Sequence, residues 1–251
     1  MVSVPNLALW IAISVSMSLP CQSAEVNAAV AANFAAPMQR IAMAFEQETG
    51  HKAILSFGST GNLYAQIRNG APFQILLSAD SQTPAKLESE GLGLTGSRFT
   101  YAVGTLVLWS KQPGFVDEKG DVLRVAKLER IAIANPTLAP YGVAALQTLT
   151  QLGVLSSVQP KLVQGENIAQ AFQFVATENA QLGLVALSQV MVDGKIAQGS
   201  AWIVPSKLHA PIAQDAILLV KGRDNPAAVA LMRYLQSDRV KVIIRSYGYN
   251  Q

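Results

Sequence analysis

From Glu25 onward the chain alternates apolar runs of strand length with stretches whose apolar residues recur at helical spacing, and few folds accommodate that rhythm. Glu25 to Ala32 reads as a buried strand. Phe34, Met38, Ile41 and Phe45 then fall on one helical face, with Pro37 near the first turn and Gly50 past the end. Lys52 to Phe57 is a second strand, followed by the polar turn Gly58-Ser59-Thr60-Gly61-Asn62 and a helical face through Leu63, Tyr64 and Ile67. Phe73 to Leu77 is a third strand, and Pro84 to Glu90 a short helix. Strand and helix in this order predict a parallel sheet with helices on both faces.

The middle of the chain repeats the pattern. Ile131 to Ala134, Lys161 to Val163 and Leu182 to Leu187 read as strands, with helices opening at Pro140-Tyr141-Gly142 and at Asn167-Ile168. Ala201 to Val204 and Ala216 to Val220 are strand-like, and two helices, Pro226 to Gln236 and Asp238 to Tyr247, close the chain. The apolar run Phe99 to Trp109 is longer than an ordinary strand and suits a crossing between two lobes. A return crossing near Trp202 to Ala216 makes the first lobe discontinuous. The expected division is residues 25–104 and 205–251 for lobe one and 105–204 for lobe two.

Half of the residues are hydrophobic and only 14% are charged, so the chain has the composition of a globular protein. The formal net charge is +3, spread without any run of four basic residues, which gives no footprint for nucleic acid. Met1 to Ala24 is set apart: it has no Lys, Arg, Asp or Glu, an apolar core from Leu7 to Leu19, a break at Pro20 and small residues at Ser23-Ala24. Such a stretch is short for a bilayer span and suits a secretory signal cleaved near Ala24, a retained anchor being the other reading. The chain's one cysteine, Cys21, falls inside it next to Pro20, a poor setting for lipid attachment. The chain beyond Ala24 has neither a disulfide framework nor a thiolate metal site, and the periplasm is the expected location.

Catalytic groups are scarce. His51 follows a helix-ending glycine and His209 lies in a polar stretch, both ordinary turn positions. No nucleophile elbow, metal-binding histidine pair or phosphate-binding loop of the Walker type occurs. A hydrolase using Ser59 would need a base, and none is evident, so no enzymatic activity is expected. What recurs is a helix opening on small or hydroxyl residues: Ala32-Asn33-Phe34, Gly58-Ser59-Thr60-Gly61, Pro140-Tyr141-Gly142 and Glu166-Asn167-Ile168. A helix N-terminus carries unpaired N–H groups and roughly half a positive charge, which suits an anion. Each turn alone is explained by capping through Asn33, Ser59 or Asn167. Two openings from each half, converging on one cleft, make an anion site.

These residues, with Gly70-Ala71-Pro72-Phe73, Ser78-Ala79-Asp80, Gly96-Ser97-Arg98-Phe99-Thr100-Tyr101-Ala102, Asn135-Pro136, Ala139-Pro140-Tyr141-Gly142 and the closing Gly248-Tyr249, resemble the periplasmic molybdate-binding proteins of ABC importers. The resemblance runs from Glu25 to Gln251. It implies a two-lobed α/β fold, each lobe a mixed, mostly parallel sheet flanked by helices, joined by two crossing strands. It also implies a monomer that holds molybdate or tungstate in the interlobe cleft and delivers it to a membrane permease. Molybdenum or tungsten is then bound only as its oxyanion, with no cofactor. Carried over by position, the binding residues are Ala32, Asn33, Ser59 through its hydroxyl and amide, Tyr141 through its phenol and Ile168 through its backbone amide, with Thr60 and Asn167 as additional candidates. Ala32 departs from relatives that carry a hydroxyl there and offers only its N–H. Sulfate and phosphate are the alternative ligands. Phosphate brings a proton that needs an acceptor, and Asp80 and Glu166 are the acids nearest the openings.

Overall fold

The computed structural model describes residues 23–125, 127–192 and 194–250. The expected signal segment, apart from Ser23 and Ala24, lies outside the described residues, as does Cys21. The first half-sheet is laid down by β1 (Glu25–Ala31), a 3-10 turn (Ala32–Phe34), α1 (Ala35–Thr49), β2 (Lys52–Gly58), α2 (Thr60–Arg68), β3 (Ile75–Leu77), α3 (Gln82–Ser89) and β4 (Phe99–Gly104). The second part comprises β5 (Leu106–Ser110), α4 (Val122–Val125), β6 (Ile131–Ala134), α5 (Pro140–Gln151), α6 (Leu155–Val158), β7 (Leu162–Gly165), α7 (Ile168–Ala176), β8 (Leu182–Ala186), α8 (Leu187–Val190), β9 (Met191–Val192), β10 (Lys195–Ile196) and β11 (Ser200–Ile203). The chain returns through β12 (Ile212–Leu218) and ends with α9 (Pro226–Tyr234) and α10 (Asp238–Ser246).

Two five-stranded mixed sheets result, one in the order β2-β1-β3-β12-β4 and the other β11-β5-β8-β6-β7. Read from its β7 end, the second follows the plan of the first. In each, four strands run the same way and one, β12 or β5, runs against them between the third strand and the edge. β1 corresponds to β6 and β2 to β7, so the loops leaving those four strands occupy equivalent places at the carboxyl ends of the two sheets. That is where ligands of open α/β sheets lie.

The helical faces pack as their spacing requires. Phe34, Met38, Ile41 and Phe45 are fully buried on one side of the first sheet, together with Leu231 and Ile244 of the closing helices. Leu63, Ile67 and Leu87 cover its other side. In the second lobe Ala144, Ala145 and Leu149 of α5 and Ala171 and Val175 of α7 enclose the strands. Burying a side chain of this size contributes about 2 kcal/mol, so each lobe has a core of its own.

Two stretches differ from the sequence reading. The run Phe99 to Trp109 is divided at Thr105, because β4 pairs with β12 in one sheet while β5 pairs with β8 and β11 in the other. β12 begins at Ile212 rather than Ala216. Its polar pair, Gln214 and Asp215, conceals the strand in the sequence, yet both are buried at a bulge. Asp215 accepts from the Arg98 guanidinium at 2.7 Å and from the Thr100 hydroxyl at 2.6 Å, so its charge is paired. Trp109 and Trp202 both lie inside the second lobe, Trp109 stacked on Phe172 of α7 at 5.2 Å. No helix among the described residues is long and apolar enough to cross a membrane.

Candidate functional site

The four helix openings meet at one small cavity. Its walls are Ala31, Ala32 and Asn33 after β1, Gly58, Ser59 and Thr60 after β2, Ala139, Pro140 and Tyr141 after β6, and Asn167 and Ile168 after β7, with Ala79. Every candidate residue of the sequence reading is therefore on this wall. The cavity measures ≈ 10 Å³ to the centre of a water-sized sphere, and no charged side chain lines it. The lobes touch beside it, where the Gly61 N–H donates to the Leu138 carbonyl across the cleft at 2.9 Å.

The hydrogen bonds already made leave each opening a definite remainder. In α2 the Gly61 amide is taken by Leu138, the Asn62 amide by Ser59 Oγ at 3.4 Å, and the Leu63 amide by the Ser59 carbonyl. In α5 Pro140 has no N–H, and the Gly142 and Val143 amides both reach the Ala139 carbonyl. In α7 Asn167 Oδ1 accepts from Ala169 at 2.9 Å and Gln170 at 3.0 Å. The first amides of a helix have no intrahelical acceptor. The N–H groups of Asn33, Thr60, Tyr141 and Ile168 thus remain without a protein acceptor among the described residues, whereas the register of β1 on β2 turns the Ala32 N–H toward the Gly58 carbonyl, so Ala32 lines the cavity without a free donor. The Ser59 hydroxyl accepts from Asn62 and keeps its own proton for the cavity.

Capping explains Ser59 and Asn167, in agreement with the sequence, but not Asn33. The Asn33 side chain caps nothing. Its Nδ2 donates to Gln214 Oε1 at 2.8 Å and to the Tyr249 hydroxyl at 3.0 Å, which uses both hydrogens and leaves only the main chain for a ligand. Gln214 in turn accepts from Tyr101 at 3.0 Å and donates to the Tyr141 phenol at 3.3 Å. This network lies directly behind the cavity. Burial pushes the phenols of Tyr101 and Tyr141 well above their ordinary value and that of Tyr249 up to about 12, so all three stay protonated. Thr60 Oγ1 is turned toward the end of β3, where it accepts from the Ala79 N–H at 3.1 Å.

The nearby acids stand elsewhere. Asp80 takes the Thr83 N–H at 2.7 Å, ties down the start of α3, and faces an adjoining cavity of ≈ 300 Å³ between the lobes. Glu166 is exposed and is not on the cavity wall. His51 Nδ1 accepts from the Ala24 N–H, and the half-buried His209 has its Nδ1 2.8 Å from the Ala210 carbonyl. Among the described residues, none of these four groups is on the cavity wall beside Ser59.

Ser59→Ala removes one hydroxyl donor from the cavity together with a long cap on Asn62. The expected result is a loss of about 1–2 kcal/mol in anion affinity, measured by calorimetric titration, with about 0.5 kcal/mol lost from apo stability. His51→Ala leaves the affinity unchanged.

Comparison with known proteins bears on what this arrangement is. Residues 26–250 match the family model described as bacterial extracellular solute-binding protein. The molybdate-binding protein ModA of Azotobacter vinelandii is 57% identical over 233 residues, 93% of this chain and 92% of its own length. That of Rhodobacter capsulatus is 48% identical over 242 residues, 96% of this chain and 94% of its own. A solved structure, the periplasmic molybdate-binding protein of Azotobacter vinelandii, superposes with a TM-score of 0.87 at 40% identity, covering 90% of this chain and 99% of that one. The chain, with its two matched lobes and a cavity built from both, belongs to the bacterial extracellular solute-binding protein family.

Proposed function

We propose that this protein captures molybdate or tungstate between its lobes and delivers the oxyanion to the membrane permease of an ABC importer. One observation carries this reading: unpaired main-chain N–H groups from helix openings of both lobes surround a single cavity that has no charged wall. A tetrahedral dianion without a proton needs donors only. Hydrogenphosphate needs an acceptor as well, and neither Asp80 nor Glu166 is on the cavity wall. The relatives at 57% and 48% identity, both molybdate-binding proteins, support molybdate over sulfate.

The energy is sufficient without a salt bridge. Hydrogen bonds to a charged group contribute about 1.5–3 kcal/mol each, and about six of them exceed the ~8 kcal/mol of micromolar binding after ordering costs. The same chemistry disfavours catalysis, because among the described residues no carboxylate or histidine is on the cavity wall to activate the Ser59 hydroxyl. We further propose a monomer in the periplasm, exported by a signal cleaved near Ala24. Its lobes are residues 25–104 with 205–251, and residues 105–204. The change of sheet at Thr105 supports that division.

Molybdate at ten times its dissociation constant is expected to stabilise the native state by about 1.4 kcal/mol, read as a rise in melting temperature. Stabilisation by phosphate with none by molybdate or tungstate would overturn the proposal.

A further inference from the structure

The turn after β8 reaches the binding residues of both lobes. Ser188 Oγ donates to the Asn33 carbonyl at 2.9 Å, crossing from the second lobe to the first. Its neighbour Gln189 donates from Nε2 to the Ile168 carbonyl at 3.1 Å, within the second lobe. The Tyr249 hydroxyl completes the contact: it lies 2.8 Å from the same Asn33 carbonyl and 3.0 Å from Ser188 Oγ. The Tyr249 ring is packed in the core of the first lobe against Phe34, and the next residue, Asn250, exchanges two main-chain hydrogen bonds with Val103 in the crossing strand β4. Tyr249 and Ser188 are buried, so their hydroxyls cannot exchange these partners for water while the lobes are together.

We propose that Ser188 and Tyr249 are positioning residues that latch the lobes behind the oxyanion, acting through the Asn33 carbonyl. This inference rests on the cleft being the oxyanion site. Neither hydroxyl is on the cavity wall, so neither touches the ligand. The Ser188 bonds join the two lobes beside the crossing residue Thr105, and the latch requires that they break when the cleft opens. Anion enters the open form and leaves after reopening, so the latch slows release and leaves entry alone. The two hydroxyls share one carbonyl and touch each other, so deleting both costs less than the sum of the single deletions.

The test uses the whole mature protein and three variants: Ser188→Ala, Tyr249→Phe and the double substitution. Molybdate release is followed by stopped-flow tryptophan emission, with Trp109 stacked on Phe172 of the helix that Ile168 opens. Each single variant is expected to release molybdate about five to ten times faster, with the association rate unchanged. The double variant is expected to be slower than the product of the two effects implies. In small-angle scattering without ligand, the double variant is expected to have a larger radius of gyration than the wild type. Wild-type release rates and an unchanged radius would overturn the latch, as would a lowered melting temperature without faster release, which marks a merely structural role. Failure of the wild type to bind molybdate would instead overturn the assigned ligand, and the scattering comparison would still decide the latch.

Discussion

Ile168→Pro is expected to weaken molybdate binding by about 3 kcal/mol, more than a hundredfold, while the apo protein still folds. Ile168 is the first residue of α7, where proline is accepted because that N–H has no helical partner. The preceding Asn167 has φ −143° and ψ 174°, the extended conformation that a following proline requires. The helix and its cap can thus persist while the amide aimed at the cavity is deleted. Some stability is lost, about 1 kcal/mol, because the buried Ile168 side chain is replaced by a smaller ring. Calorimetric titration beside thermal melting separates the two effects. Affinity equal to the wild type in a folded Ile168→Pro protein would remove this amide from the site.

Gly142→Ala is expected to cost about 3 kcal/mol of stability and to abolish tight binding. A methyl group at this position would press into the Ala134 carbonyl and lie 2.8 Å from the Pro136 nitrogen. Both neighbours are main chain, one the end of β6 and the other the loop that leads to α5, so neither can rotate aside. Relief requires the opening turn of α5 to move away from the sheet, carrying the Tyr141 N–H with it. Chemical denaturation of the variant measures the first effect and titration the second. A fully stable Gly142→Ala protein with unchanged affinity would show that α5 need not sit this close to β6.

The parts of the molecule legible in the sequence are those specified by near neighbours. The face Phe34, Met38, Ile41 and Phe45 identifies α1 because a helical period is a local property, and all four side chains are buried. Ser59 and Asn167 are recognisable as caps for the same reason, since their acceptors serve amides two or three residues ahead. The four openings are recognisable one by one, and the structure brings them to one cavity. The layer behind that cavity is not legible in the same way. Asn33 meets Gln214 at a separation of 181 residues, Ser188 at 155 and Tyr249 at 216. Nothing in the surroundings of Gln214 or Ser188 in the chain distinguishes them from exposed polar residues, because their partners are supplied by the tertiary fold. Even the strand carrying Gln214 reads four residues short in the sequence, since a polar pair in a buried strand is indistinguishable by pattern from a turn.

The central claim, that uncharged main-chain donors of both lobes hold the anion, is tested most directly by diffraction from crystals grown with molybdate, using anomalous differences at the molybdenum edge. The expected result is one strong peak in the cavity, with oxygens about 2.7–3.0 Å from the amides of Asn33, Tyr141 and Ile168 and from the Ser59 hydroxyl, and no Lys or Arg in contact. A peak seated against a lysine or arginine, or one confined to the residues of a single lobe, would contradict it.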